Sequence, residues 1–150
     1  SAVTFNNATS LTVTTNLAAG SYFVRVENND GGAVRSSSAI LAVSAAPVWQ
    51  TAAGSLGTIV GGATQSFTLL AYDDDSTAVT GYSLVSGSLP GGFSLAGDST
   101  IGTISGTESG ATATTTYSFT IRATDNENQT TDRAFSITVS LGAQGGGQFN

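Results

Sequence analysis

The stretch TYSFTIRATDNENQTTDRAFSITVS, residues 116–140, decides the fold of this chain. Its apolar side chains recur at every second position: Tyr117, Phe119, Ile121 and Ala123 in the first half, then Phe135, Ile137 and Val139 in the second. Side chains of an extended chain point alternately to opposite faces. A period of two therefore predicts strands over Thr116 to Thr124 and Arg133 to Ser140, each with one face turned to a core. Between them lies Asp125-Asn126-Glu127-Asn128, a polar run of turn formers.

The same alternation continues toward the N-terminus. Candidate strands fall at Leu56 to Val60, Gln65 to Ala71, Val79 to Val85, Phe93 to Leu95 and Ile101 to Ile104, with Phe67, Leu69 and Ala71 sharing a face. With the two strands above, this matches the roughly seven strands in ~100 residues of an immunoglobulin-like sandwich. The predicted fold class is therefore all-β: an immunoglobulin-like β-sandwich, one complete module over residues 47–141 plus a partial one before it. Trp49, the only tryptophan, is expected to plug the core near its entry. Ala45-Ala46-Pro47 marks the boundary, because proline has no amide to donate and restricts the residue before it.

Residues 1–46 carry less. Ser10 to Thr14 and Ser21 to Glu27 alternate, with Leu11 and Val13 on one side and then Tyr22, Val24 and Val26, and Asn16 to Gly20 forms the turn between. The run Asn28-Asn29-Asp30-Gly31-Gly32 tolerates positive φ and reads as a hairpin tip leading to a last strand around Ile40 to Val43. That makes about four strands, half of what a sandwich needs. The segment is expected to be the C-terminal half of a module, either cut or completed by another polypeptide. Residues 142–150, with Gly145 to Gly147 at their centre, have little apolar surface to offset ordering entropy and are expected to be mobile or docked on a neighbour.

Composition bounds the chemistry. At 150 residues the chain can bury a core without metals or disulfides. Lys, His, Cys and Met are absent, and four cations (Arg25, Arg35, Arg122 and Arg133) face ten acidic residues for a net charge of -6. Such a chain repels phosphate backbones and anionic membrane surfaces, so nucleic acid and membranes are not expected partners. No run approaches the ~18 to 20 apolar residues of a membrane span, and no charged and apolar leader is present. The missing initiator Met points to a fragment or a processed chain.

Without His, Cys or Lys the chain cannot assemble Ser-His-Asp or Cys-His nucleophile systems, Schiff bases, nitrogen or sulfur zinc sites, or an internal Lys-Asn crosslink. Paired carboxylates remain, but glycoside hydrolysis needs them across a cleft, which a compact sandwich does not offer. The chain is therefore expected not to be an enzyme and to need no organic cofactor. Calcium is the sharper possibility, since it takes six to eight oxygen ligands and is indifferent to the missing nitrogen and sulfur. Asp73-Asp74-Asp75 follows the second strand of the sandwich and the 125–128 run follows the sixth, which places both loops at one pole. Asp73, Asp75, Asp125 and Glu127 are the metal candidates, and the plain alternative is that they are solvated turn formers. The glycosylation patterns at Asn7 and Asn128 are common by chance.

Several motifs carry a resemblance. PVW at residues 47–49, FTLLAYDDD at 67–75, YSLVSGSLPGGFSL at 82–95, IGTISGT at 101–107, YSFTIRATD at 117–125 and RAFSITV at 133–139 resemble, in order and spacing, the cadherin-like, putative-Ig modules of bacterial surface proteins and phage tail or fibre proteins. Two of these motifs have a structural reason. Leu89-Pro90-Gly91-Gly92 makes a tight, donor-poor bend, and Ile104-Ser105-Gly106-Thr107 ends a strand with glycine where side chains cannot fit. LAAGSYFVRVENNDGG at 17–32 resembles the latter half of an IPT/TIG module, with Tyr22 placed like a tyrosine corner.

The resemblance implies a structural or adhesive module of a phage virion protein (tail fibre, tail-associated or capsid-decorating) on the virion surface. Its partners would be other virion or surface-protein subunits and a host glycan or receptor, within a homo-oligomer. The alternatives are an adhesin repeat on a bacterial cell surface and a carbohydrate-binding accessory module. The last predicts exposed aromatics, for which Tyr72, Tyr82, Phe93 and Phe149 are the candidates.

Overall fold

The computed structural model describes residues 2–7, 10–27, 29–73, 78–97 and 100–141. Among them every regular element is a strand. No helix is long and apolar enough to cross a membrane. The chain divides into two compact units, Ser1–Ala45 and Ala46–Asn150.

The first unit holds β1 (Ala2–Asn7), β2 (Ser10–Thr14), β3 (Gly20–Tyr22), β4 (Arg25–Glu27), β5 (Ala33–Arg35) and β6 (Leu41–Val43). They pair only in twos: β1 with β2, β3 with β6, and β4 with β5, all antiparallel. Six short strands thus stand where about four were expected, because β1 and β5 lack a clear apolar alternation. The 28–32 tip opens into β5 rather than directly into the Ile40 to Val43 strand, although Asn28 lies outside the described residues. Ser21 to Glu27 splits into β3 and β4 at Phe23 and Val24. Two-stranded ribbons present no facing layer, so apolar side chains such as Val3, Val34 and Ile40 stay exposed, Val34 at 75%. Tyr22 donates its hydroxyl to the Ala18 carbonyl at 2.8 Å, the backbone tie of a tyrosine corner.

The second unit is a two-sheet sandwich. Its strands are β7 (Val48–Trp49), β8 (Gly54–Val60), β9 (Thr64–Tyr72), β10 (Val79–Gly87), β11 (Phe93–Ala96), β12 (Ile101–Thr107), β13 (Thr115–Asp125) and β14 (Thr130–Ser140). One sheet runs β11-β12-β9-β7 and the other β10-β13-β14-β8. All pairs are antiparallel except β8 with β14, which is parallel. The first edge strand is therefore shared: β7 closes one sheet and β8 the other. This is the immunoglobulin arrangement, with the second and fifth strands central in one sheet and the sixth and seventh in the other.

Alternation along these strands delivers the core. Leu69, Ile104, Ile121 and Ile137 are fully buried between the sheets, with Phe119, Phe135, Ile59 and Trp49 around them. Burial of each large apolar side chain contributes roughly 1.5–3 kcal/mol against chain entropy. Trp49 packs on Tyr82 and Phe135 at ring separations of 5.5 and 5.3 Å and donates its indole N–H to the Thr131 carbonyl at 3.0 Å. The loops obey local rules. Phe93 N–H bonds the Pro90 carbonyl at 3.1 Å with Gly92 at φ 82, a turn only glycine makes without strain. β12 ends at Thr107, the last residue of the 104–107 motif, with Gly106 paired to Phe93 and Gln65 just before it. A Cβ there would strike the Gly92 backbone.

Candidate functional site

The acidic cluster is built by two elements that end side by side. β9 finishes at Tyr72, which pairs with Val48 where the chain enters the unit, and Asp73 follows it directly. β13 finishes at Asp125, opposite Val79 of β10. The turn from β13 to β14 then closes on itself. Asp125 N–H donates to Gln129 O at 3.1 Å, Asn128 N–H to Asp125 O at 3.3 Å, and Asn128 takes φ 66. A three-residue hairpin loop ending in a left-handed residue has this form, and asparagine tolerates that position better than most residues.

Within this frame Asp73, Asp125 and Glu127 each bring a carboxylate oxygen within 4.8 Å of the other two. Three of the four metal candidates are thus brought together, while Asp75 lies outside the described residues. The three differ in burial. Asp73 is half-buried, Glu127 is exposed and Asp125 is 1% exposed. Asp125 Oδ1 accepts the Gln129 N–H at 2.7 Å, whereas its Oδ2 is buried with no hydrogen-bond partner among the described residues.

The chain's four cations are engaged elsewhere. Arg122 grips Asp132 with bonds of 2.7 and 2.9 Å, and this hydrogen-bonded guanidinium holds the Asp132 carboxyl below its usual value of 3.8. Arg133 donates to the Thr51 carbonyl at 2.7 Å, Arg25 pairs with Glu27 at 2.9 Å, and Arg35 lies 4.1 Å over the Phe23 ring. The arrangement offers oxygen donors, all of them carboxylates. A shallow depression of about 450 Å³ on the β10-β13-β14-β8 sheet is lined by Ser86, Ser118, Thr120, Ala134 and Ser136 among others, and no titratable group borders it.

Of the aromatics expected on a sugar-binding face, Tyr72 is 40% exposed, and Phe149 lies outside the described residues. Tyr82 corrects the expectation. It is 6% exposed, because its ring spans the core and its hydroxyl accepts the Ala71 N–H at 2.8 Å while donating to Thr100 O at 3.1 Å. Phe93 is half-buried against the core cluster. One buried acid escaped the sequence reading. Glu108 accepts the Gly62 N–H at 2.9 Å and caps the β8–β9 turn, and nothing in its flanking sequence signals this role.

Residues 46–140 match the model of the family described as "Putative Ig domain". That span and the compact second unit begin at the same residue. Among solved structures, the endo-fucoidan hydrolase MfFcnA4 from glycoside hydrolase family 107 is similar at 21% identity and TM-score 0.53, over 84% of this chain and 20% of that one. A variant of the same enzyme is similar at 26% identity and TM-score 0.52, over 65% of this chain and 14% of that one. The titin M3 domain is similar at 10% identity and TM-score 0.43, over 63% of this chain and 96% of that one. The chain spans a fifth or less of the hydrolase chains it resembles. No curated protein matches it.

Proposed function

The chain belongs to the Putative Ig domain family, and from that premise we propose that it is a non-catalytic structural or adhesive module that spaces or presents a surface within a larger extracellular or virion assembly. The observation that carries this reading is the sandwich itself: a depression on its β10-β13-β14-β8 sheet is lined by serine, threonine, alanine, glycine and phenylalanine residues, with no titratable group among them. Placement on a phage virion, beside other virion subunits in a homo-oligomer and toward a host glycan or receptor, is supported by the resemblance of the 67–75, 82–95 and 117–139 motifs to modules of phage tail and fibre proteins. An IPT/TIG-like origin for residues 1–46 is supported by the 17–32 motif and by the Tyr22 hydroxyl tie.

A second reading is favoured by the 26% identity to part of an endo-fucoidan hydrolase variant. In it the chain is an accessory module of a polysaccharide-degrading enzyme. One experiment separates the two. The purified chain is run through native gels containing fucoidan or neutral polysaccharides, and antibodies to it are applied to intact particles and cells of the source. Labelled particles or cell envelopes with no gel retardation support the first reading, retardation by polysaccharide supports the second, and release of reducing ends from any of these polysaccharides would overturn the non-catalytic assignment common to both.

A further inference from the structure

Three carboxylates converge at one end of the sandwich. Asp73 comes from the end of β9, Asp125 and Glu127 from the β13–β14 turn, and one oxygen of each lies within 4.8 Å of the others. Like charges at this spacing repel, and the four arginines bond to Glu27, Asp132 and Thr51 or stack on Phe23. The chain has no lysine or histidine to add.

A second observation is independent of the clustering. Asp125 is buried, and the turn uses only its Oδ1, to hold the Gln129 N–H. Oδ2 is buried with no partner among the described residues. Buried polar atoms are nearly always paired, and an unpaired carboxylate oxygen is among the most expensive to leave so. Capping the turn needs one oxygen, so the turn alone does not explain an aspartate there.

We propose that Asp73, Asp125 and Glu127 form a calcium site that ties the end of β9 to the β13–β14 turn. Donors that are all oxygen select a hard cation. A calcium shell with ligands at ~2.3–2.6 Å spans roughly 4.6–5.2 Å across, so oxygens within 4.8 Å of one another fit around one ion. The graded burial suits a site that fills from solvent. Asp125 is fixed by the hairpin, Glu127 on the exposed side provides the entry, and water and main-chain carbonyls complete the shell. This inference is independent of whether the module sits on a virion or beside a hydrolase.

The test uses the whole chain after chelator treatment, following thermal unfolding by the fluorescence of Trp49 while calcium chloride is added to ~10 mM, above the 10⁻⁴–10⁻³ M range of extracellular calcium modules. The midpoint should rise saturably, by on the order of 5 °C, since an ion that binds only the folded state stabilises by mass action. Calorimetry should give one ion per chain. In the double variant Asp73→Asn, Glu127→Gln, which leaves the buried Asp125 in place, the calcium-free midpoint should stay within about 2 °C of the parent while the calcium-dependent rise disappears. The proposal is overturned if the parent shows no saturable rise, if the double variant keeps it, or if sodium chloride at equal ionic strength reproduces it. An equal rise at equal concentrations of magnesium would overturn the assignment to calcium.

Discussion

Tyr82 shows how one side chain does two jobs in this sandwich. Its ring fills the space over Gly102, where a Cβ would come 2.8 Å from the ring carbon Cγ, and its hydroxyl satisfies the buried Ala71 N–H while donating to Thr100 O. Tyr82→Phe keeps the ring but strands the Ala71 donor. Leaving a buried donor unpaired costs about 1–3 kcal/mol, and that loss should appear in urea unfolding with little change in slope. The same residue sets an alkaline limit. Burial raises the Tyr82 pKa above 10.0, with the Ala71 hydrogen bond opposing in part. A group whose folded pKa is raised contributes stability that is complete below its unfolded pKa and is lost as pH rises through the folded value. Stability of the parent should therefore fall above pH ~10, and Tyr82→Phe should remove that part of the decline. An identical alkaline profile in both proteins would show that Tyr82 does not titrate between the two states.

Among the elements, the β13–β14 hairpin is the one on which both core and acidic cluster depend. It contributes Phe119, Ile121, Phe135 and Ile137 to the core, and its turn holds Asp125. The turn requires a left-handed residue at Asn128. Asn128→Val places a β-branched side chain at positive φ and should destabilise the sandwich by about 1–2 kcal/mol in denaturant unfolding, whereas Asn128→Gly should be close to neutral. Equal losses in both variants would mean that the side-chain amide, rather than the backbone, is what matters there. This hairpin also marks how far the sequence could be read. Period-two alternation is a local signal, so the apolar faces of β9, β13 and β14 were legible, as were the ends of the loops that bring Asp73 and Asp125 together. Burial is not local. Nothing in DNEN separates a buried Asp125 from an exposed Glu127 two residues on, and nothing in SGTES shows that Glu108 turns inward to Gly62. Tyr82 was misjudged because β10 breaks the period: a register shift between Val79 and Gly81 puts Val79 and Tyr82, three residues apart, both in the core, where the ring packs over Gly102. In the first unit alternation at Leu11 and Val13 is present, yet both side chains are about half exposed, because pattern guarantees a face and not a partner for it.

At the scale of the whole molecule, the buried hydrophobic residues among the described ones fall between Trp49 and Val139, within the 46–140 span of the family match. Two sheets of four strands enclose them, and both edges of the first strand region are tied in, β7 to β9 and β8 to β14. Cooperative unfolding reflects the breaking of one shared core, so residues 46–140 produced alone should fold and melt in a single transition. Trp49 fluorescence reports the core and far-ultraviolet circular dichroism reports the sheets, and the two curves should coincide. The urea slope should be on the order of 1 kcal/mol/M, as the surface exposed by a domain of this size demands. Divergent curves, or a broad transition of low slope with exposed hydrophobic surface, would mean that the sandwich does not close without the chain before Ala46 and that its stability belongs to a larger folding unit.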